Sequence, residues 1–221
     1  MRVRWWRRWA VRAVHRGWEW VRMRGALTAE HPGRYTFGHL GHRAVIAFPP
    51  ATLFGEKAMS IGDGTLVGEW VSLTAGLLPG QDLMGLMVLK IGRHSSIGRG
   101  SMVIAHESID IGDDVFVAPN CYITDQNHSY TDLETPVGRQ WPINSPVVIG
   151  DGCWLGTRCV ILPGTRLGRN VTVAAGSVVR GEFPDYCVIG GVPARILRRY
   201  DPEHGWVPVP AKGEPAAQKS G

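Results

Sequence analysis

The sequence lacks the features of several protein classes. It has no run of 18 or more apolar residues, which excludes a transmembrane helix of the usual kind. It has only four cysteines in 221 residues, so it is no disulfide scaffold, and we expect a reduced, cytoplasmic protein. Its 29 glycines and 15 prolines argue against a bundle of long helices. These absences favour a fold built of short segments and many turns.

Net positive charge is confined to the first 24 residues. Those residues contain eight arginines and one glutamate, a balance of +7, whereas the whole chain carries +5 and the remaining 197 residues sum to −2. The body therefore does not present the basic surface of a nucleic-acid-binding protein. The segment 201–221 has no apolar period, and we expect it to be a flexible tail.

The basic, tryptophan-rich head, residues 1–25, is predicted to be a helix. Apolar residues recur three or four positions apart, at Trp6, Ala10, Val14, Trp18 and Val21. Arginines occupy another face, at Arg4, Arg8, Arg12 and Arg16. Two interpretations stay open. Residues 1–24 either lie on an anionic membrane surface, as a peripheral contact, or pack their tryptophans on the body or a neighbouring subunit.

From residue 61 the sequence repeats every six residues. The first position of each hexad is aliphatic at Ile61, Val67, Leu73, Ile91, Ile97, Val103, Ile111, Val117, Ile123, Ile149, Leu155, Ile161, Leu167, Val173 and Val179. A period of six fits neither a plain strand nor a helix, and it indicates a short strand plus a turn in each repeat. Three repeats form one triangular coil, and stacked coils form a β-solenoid with an aliphatic core. We expect the glycine that often follows the aliphatic residue to supply backbone freedom for the turn.

Coil starts at residues 61, 91, 111, 149 and 167 predict about five coils. The solenoid is expected to span 59–190 after a lead-in segment, 26–58, with inserted loops at 79–90 and 129–148. Such insertions leave repeat proteins as surface loops and often build the site. Cys121, Cys153 and Cys159 share the fifth hexad position with Thr65, Ser101, Thr165 and Ser177. We therefore interpret them as small stacking residues and expect no metal.

Several short motifs stand out within the repeats. They are Trp154-Leu155-Gly156, Ile161-Leu162-Pro163-Gly164, Ala175-Gly176-Ser177 and Gly191-Val192-Pro193-Ala194-Arg195, together with Ala118-Pro119-Asn120 upstream of His128. With these motifs the sequence resembles the hexapeptide-repeat acyltransferases, the left-handed parallel β-helix family, and most closely its galactoside, maltose and exopolysaccharide O-acetyltransferases. The resemblance implies an all-β, left-handed parallel β-helix that ends in a short closing helix, 191–200. It also implies an acyl-CoA donor (acetyl by default), a homotrimer with sites between subunits, and direct transfer to a sugar or glycoconjugate hydroxyl.

His128 lies at the family's spacing for its catalytic histidine. A base near neutral pH suits this transfer, and histidine is the side chain whose unperturbed pKa matches it. Glu134, Asp132, Asp125 or a backbone carbonyl could orient its other ring nitrogen, and the sequence does not choose among them. His106, Glu107, Asn120 and Asn127 are candidate acceptor ligands. The open alternatives are that the first two cap a short insertion and that the asparagines are turn residues.

On the donor side, the resemblance places Trp154, Thr157, Ala175 and Arg180 along the pantetheine arm. Arg195 and Arg198 would share one face of the closing helix and hold the nucleotide phosphates, or else compensate the helix dipole. Apolar residues of the first insertion (Leu83, Met84, Leu86 and Met87) could line a channel for a longer acyl chain.

Two other functions compete with acyl transfer. A γ-type carbonic anhydrase would hold zinc with histidines such as His94, His106 and His128. A non-catalytic β-helix scaffold would use the tryptophan-rich head as its contact surface.

Overall fold

The computed structural model describes residues 5–210, and side chains from Trp6 onward. The predicted N-terminal helix is present as α1 (Trp5–Gly25). Arg4 and the end of the predicted tail, 211–221, lie outside the described residues. None of the helices in residues 5–210 combines the length and apolar character needed to cross a bilayer.

The body consists of short parallel strands wound into coils of three. The first four coils are β1 (His39–Leu40), β2 (Val45–Ile46) and β3 (Thr52–Phe54); β4 (Met59–Ile61), β5 (Leu66–Val67) and β6 (Ser72–Ala75); β7 (Leu89–Ile91), β8 (Ser96–Ile97) and β9 (Met102–Ala105); β10 (Ile109–Ile111), β11 (Phe116–Val117) and β12 (Tyr122–Thr124). A hairpin follows, made of β13 (Gln126–His128) and β14 (Pro142–Asn144). The later coils are β15 (Val147–Ile149), β16 (Trp154–Leu155) and β17 (Val160–Ile161); β18 (Arg166–Leu167), β19 (Thr172–Val173) and β20 (Val178–Val179); and the incomplete β21 (Glu182–Phe183) and β22 (Cys187–Gly191).

Stacking of the coils generates three sheets. Sheet 1 contains β1, β4, β7, β10, β15, β18 and β21, and sheet 3 contains β3, β6, β9, β12, β17 and β20. Sheet 2 contains β2, β5, β8, β11, β16, β19 and β22, and is extended by β23 (Ala194–Asp201) and β24 (Gly205–Pro208). The parallel β-solenoid is confirmed, with six complete coils and two sides of a seventh rather than five. We call the turns from sheet 3 to sheet 1 corner A, those from sheet 2 to sheet 3 corner B, and those from sheet 1 to sheet 2 corner C.

The aliphatic stack fills the interior as predicted. All fifteen first-position residues have at most 3% of their surface exposed. Burial of a side chain of this size stabilises a fold by about 1.5–3 kcal/mol. The small fifth-position residues are buried beside the stack and link one coil to the next. Thr65 Oγ1, for example, donates to the carbonyl of Gly92 at 2.6 Å, and Cys121 Sγ contacts the carbonyl of Gly156 at 3.2 Å.

Glycine after the aliphatic residue has a different role from the predicted one. At Gly62 a Cβ atom would lie 2.6 Å from the backbone carbon of Gly92 in the next coil, so close stacking requires the glycine. Positive φ occurs two positions later, at Gly64, and at the equivalent Asn120 and Asn170. Turn geometry therefore explains these asparagines.

The solenoid begins earlier than predicted, because the lead-in segment already forms a coil. Leu40, Ile46 and Leu53 pair in register with Ile61, Val67 and Leu73. The spacing widens after Ile46, and the 3-10 helix Glu56–Ala58 follows Leu53, which hides the hexad period. The prediction of a start at residue 59 was wrong for this reason.

The prediction of a closing helix over residues 191–200 is wrong. Residues 194–201 form β23, which pairs antiparallel with β22 and with β24. Ala194 and Ile196 are partly buried against the core and alternate with exposed neighbours, as in a strand. The free edge of β22 makes residues 194–201 a strand, because the N–H and C=O groups along that edge need hydrogen-bonding partners. Residues 201–208 of the predicted flexible tail are ordered by the same hairpin.

The two predicted insertions both occur at corner A. The first runs from residue 76 to 88, and the second, 125–146, contains the β13–β14 hairpin and the 3-10 helix Val137–Arg139. The second insertion is therefore a structured arm and not an irregular loop.

Candidate active site

His128 is the last residue of β13, where it pairs with Pro142 of β14. Its side chain is exposed and borders two clefts. The first cleft, about 290 Å³, is lined by Leu77, His106, Gln126, Trp141 and other residues of the arm. The second, about 220 Å³, contains Arg180 together with Asn127, Tyr130, Leu162 and Pro163. The first cleft also contains Arg139, so this imidazole borders two clefts that each contain an arginine, and His106 lines only the first.

The segment before the first cleft is fixed by a buried carboxylate. Asp125 is fully buried, and its oxygens accept the backbone N–H groups of His106, Glu107 and Ser108 at 2.7–2.8 Å. Charge-assisted bonds of this kind are stronger than neutral ones. Asp125 therefore holds the 106–108 turn against the base of the arm and does not orient His128.

His106 is half-buried in the first cleft, and its Nδ1 atom is enclosed without a hydrogen-bonding partner. Burial lowers the pKa of its imidazole below the ordinary value. The nearby Asp125 carboxylate opposes this shift, and positive charge on His128 adds to it. The uncharged form of His106 is consequently favoured beside His128.

The other two carboxylates considered for orienting His128 have different positions. Asp132 accepts the backbone N–H groups of Glu134 and Thr135 at 2.9 and 3.3 Å and closes a turn of the arm. Glu134 is exposed. Within residues 5–210, no hydrogen bond joins the His128 ring to another side chain or to the backbone.

Four of the candidate ligands form a second group, away from corner A. Asn120, Thr157 and Ala175 are exposed turn residues of corner B. Thr157 Oγ1 donates to the carbonyl of Pro119 at 2.7 Å, so its hydroxyl also stabilises the turn. Trp154 lies on the outer face of sheet 2, in register with Phe116. A single chain therefore divides the predicted site residues between corner A and the surface around corner B.

The reason for pairing Arg195 and Arg198 does not hold, because the helix that would align them is a strand. Both are exposed on β23, and the Arg198 guanidinium donates to the carbonyl of Trp206 at 3.0 Å. Glu107 is exposed at corner A, and it lines neither of the two clefts that His128 borders.

Sequence reasoning missed Leu77, Gln126 and Trp141 as lining residues of the first cleft. The length of the two insertions was the signal that could have identified them, since all three lie in or at the start of an insertion. The expected acyl channel is not visible at His128. Leu83 and Leu86 instead line a separate cleft of about 670 Å³ beside Glu56.

Family models match two parts of the chain. "Bacterial transferase hexapeptide (six repeats)" matches residues 146–181, and "Hexapeptide repeat of succinyl-transferase" matches residues 88–125. Among curated relatives, WbbJ of Escherichia coli K12 is provisionally named a lipopolysaccharide biosynthesis O-acetyl transferase. It is 35% identical over 149 residues, which cover 64% of this chain and 75% of WbbJ. The chain belongs to the hexapeptide-repeat acyltransferase family.

A second relative of this hexapeptide-repeat chain is much longer than the matched region. The protein Rv3034c of Mycobacterium tuberculosis, provisionally named an acetyltransferase, is 37% identical over 110 residues. Those residues are 50% of this chain and only 37% of the relative. Among solved structures, a point mutant of AntD, an N-acyltransferase from Bacillus cereus in complex with dTDP and coenzyme A, superposes with a TM-score of 0.66. It is 17% identical, and the match covers 80% of this chain and 92% of AntD.

These matches confirm the family that was predicted from the motifs. Hexapeptide repeats also imply that the coils are left-handed. The histidines considered for zinc are not grouped on one chain. His94 lies at corner C, where its Nδ1 is 3.7 Å from Asp114 Oδ1, whereas His106 and His128 share corner A. Over residues 5–210, no cluster of three or more His, Cys, Asp or Glu side chains could hold a metal ion.

Proposed function

We propose that the protein is an acyl-CoA-dependent O-acyltransferase that acylates, by default acetylates, a hydroxyl group of a sugar or glycoconjugate. The observation that carries the proposal is the position of His128 at the border of two clefts, one lined by His106 and the other by Arg180. A base in this position can face an acceptor hydroxyl on one side and a thioester on the other. The relationship to WbbJ, whose name specifies lipopolysaccharide biosynthesis and O-acetyl transfer, supports the acceptor class.

In the proposed reaction His128 takes the proton of the acceptor hydroxyl as its oxygen attacks the thioester carbonyl. The resulting oxyanion would be held by a backbone N–H group. When the carbon–sulfur bond breaks, the thiolate of CoA receives the proton from the imidazolium, and the histidine returns to its neutral form. No acyl-enzyme forms, because the hydroxyl attacks the donor directly.

The acceptor is assigned to the His106 side of His128. A neutral imidazole at His106 both donates and accepts hydrogen bonds, which suits a sugar hydroxyl. Glu107 and Asn127 were also proposed as acceptor ligands and lie on the same corner, but Asn127 lines the Arg180 cleft and Glu107 lines neither cleft, so His106 is the main candidate. Asn120 is the weakest of the proposed acceptor ligands, because its positive-φ turn is at corner B.

The donor is assigned to the Arg180 side. Arg180 has no ion-pair partner in the part of the chain that the structure describes, so its guanidinium is available to a phosphate or carbonyl of acyl-CoA. Trp154, Thr157 and Ala175 are proposed to contact the pantetheine arm from corner B. Arg195 and Arg198 are proposed to hold the nucleotide end.

This assignment requires more than one chain. Corner A carries the base and Arg180, whereas Thr157 and Ala175 lie at corner B and Trp154, Arg195 and Arg198 lie on sheet 2. A neighbouring copy would therefore complete each site in a homotrimer. An exposed apolar row on sheet 2, formed by Leu66, Phe116 and Trp154 (each 50% exposed), supports association of copies. The predicted contact between residues 1–24 and an anionic membrane concerns α1 and not the acyl-transfer site.

The test is release of free thiol from acetyl- through decanoyl-CoA in the presence of a panel of sugars and glycoconjugates. The wild-type protein should release thiol only when both a donor and a hydroxyl acceptor are present, and chelation of metals should leave the rate unchanged. His128→Ala should abolish at least about 99% of the rate, since loss of a general base costs on the order of 10²–10⁴. His94→Ala, a histidine at corner C, is the matched control and should retain full activity. Equal rates in wild type and His128→Ala would refute the assignment.

A further inference from the structure

Helix α1 is not packed on its own body along most of its length. Every side chain from Trp6 to Arg24 is exposed. Trp9 and Trp20 keep 64% and 59% of their surface accessible. Large aromatic side chains contribute most when they are buried, and a contiguous exposed apolar surface of this kind marks an interaction site. The acyl-transfer chemistry does not use this helix.

The body holds only the last two turns of α1, and it does so from one side. The Arg22 guanidinium forms an ion pair with the Glu69 carboxylate at corner B. Trp18 and Arg22 line a shallow cleft with Phe48. Gly25 ends the helix against the Phe48 ring, where a Cβ atom would come within 2.5 Å of Cγ. The side of the helix that carries Trp18 and Arg22 therefore faces the body.

The opposite side of α1 is apolar over most of its length. Successive residues turn by about 100° around a helix, so Trp6, Ala13, Gly17 and Trp20 lie across the helix axis from Arg22, and Arg24 joins them in the last turn. At the two edges of this apolar side stand Arg7 and Arg16. The helix consequently presents tryptophans outward, with a cation on each flank.

The charge of this surface identifies the kind of partner. Residues 1–24 carry +7, whereas the other 197 residues sum to −2, so a second copy of the body offers little complementary charge. A layer of phospholipid phosphates offers it continuously, and tryptophan side chains prefer the boundary between headgroups and acyl chains. We propose that α1 binds the surface of an anionic phospholipid bilayer through its Trp6–Trp20 side. The contact with Glu69 then sets how the solenoid is held relative to the membrane.

The test is flotation of the full-length protein with vesicles of phosphatidylcholine, with and without phosphatidylglycerol. We expect binding only to the anionic vesicles, with weaker binding as salt is raised. Trp20→Ala and Trp18→Ala form a matched pair, two residues apart on different sides of the helix. Trp20→Ala should lower the vesicle affinity on the order of tenfold, because its indole would insert. Trp18→Ala should lower it less than about threefold, since that side faces the body.

Several results would overturn the proposal, and none depends on acyl-transfer activity. One is failure of the full-length protein to float with anionic vesicles. Another is an equal loss of vesicle affinity in the two tryptophan variants. Binding that falls with salt but is unaffected by Trp20→Ala would indicate a purely electrostatic contact. Dissociation of an oligomer by Trp20→Ala in the absence of lipid would assign the apolar side to a second copy of the chain.

Discussion

The Asp125 carboxylate accepts the backbone N–H of His106 at 2.8 Å, although the two residues belong to successive coils. This bond joins the turn that carries His106 to the strand end from which His128 departs. Asp125→Asn would leave at least one of the three N–H groups facing an amide N–H, so the turn should loosen. We expect a loss of about 2–4 kcal/mol in the free energy of unfolding, measured by urea denaturation.

Asp132→Asn is the control for this substitution. Asp132 also accepts backbone N–H groups, but it is exposed in the arm, where water can replace those bonds, so its replacement should lower the free energy of unfolding much less than Asp125→Asn. Similar losses in the two variants would show that burial of Asp125 is not what matters.

The pH dependence of stability should include a contribution from His106. Its pKa is lowered in the folded protein, mainly by burial, so the unfolded chain binds more protons just below about pH 6.5. Stability should therefore fall as the pH is lowered from about 6.5 through the folded pKa. His106→Gln should lose less stability between about pH 7.5 and about pH 5 than the wild type does.

The same pKa can be followed directly by NMR titration of the imidazole. His128→Gln removes the positive charge that disfavours protonation of His106, so the pKa of His106 should rise. A fall in that pKa would contradict the electrostatic coupling between the two histidines.

Arg180→Ala should weaken binding of the acyl donor. Its guanidinium lines the second His128 cleft, and loss of a charge-assisted contact should raise KM for acyl-CoA roughly tenfold while KM for the acceptor stays constant. Arg169→Ala is the control, because Arg169 lies at corner C, with its Nε 3.6 Å from Asp185 Oδ2. A change confined to the acceptor KM would reverse the assignment of the two clefts.

Light scattering should give a mass of about three times 24.2 kDa. Phe116→Glu, in the exposed row of sheet 2, should reduce the trimer fraction and the activity together. Lys90→Glu places the same side chain on the outer face of sheet 1 and should leave both unchanged. A fully active monomer would show that one chain completes the site.

Removal of residues 1–24 should leave the solenoid folded. The helix meets the body through few contacts, and the core starts at Leu27, which packs with Ile46. Loss of an exposed ion pair such as Arg22–Glu69 costs about 0–1 kcal/mol, so Tm measured by calorimetry should fall by at most about 4 °C. A larger fall would mean that α1 is part of the folding unit.

The repeat could be predicted because each coil imposes the same requirement on the sequence. Ile61, Val67 and their equivalents face a narrow interior that admits one aliphatic side chain per strand, and this requirement is visible at a fixed spacing. The first coil was not predicted, because turns of other lengths separate Ile46, Leu53 and Ile61. The strand at residues 194–201 was not predicted, because arginine, leucine and alanine are good helix formers, and pairing with a free strand edge overrode that local preference.

The candidate site was predictable only in part. The spacing of His128 and the length of the second insertion located corner A. The role of Asp125 was not visible, because it depends on three backbone N–H groups that the chain brings back one coil earlier. The separation of Asn120 and Thr157 from His128 was available in the coil starts at residues 111 and 149, which place the first two in the second hexad of a coil and His128 at the end of the third.

The hairpin β23–β24 has a consequence for polymerisation. A solenoid whose last coil exposes a parallel strand edge can template another chain end to end, as in fibrils. Here the edge of β22 is already paired with a strand that runs in the opposite direction. The outermost strand, β24, ends at Pro208, whose nitrogen has no hydrogen to donate. On sheet 2 the parallel ladder therefore ends in an antiparallel hairpin, so another chain cannot continue it in parallel from the edge of β22.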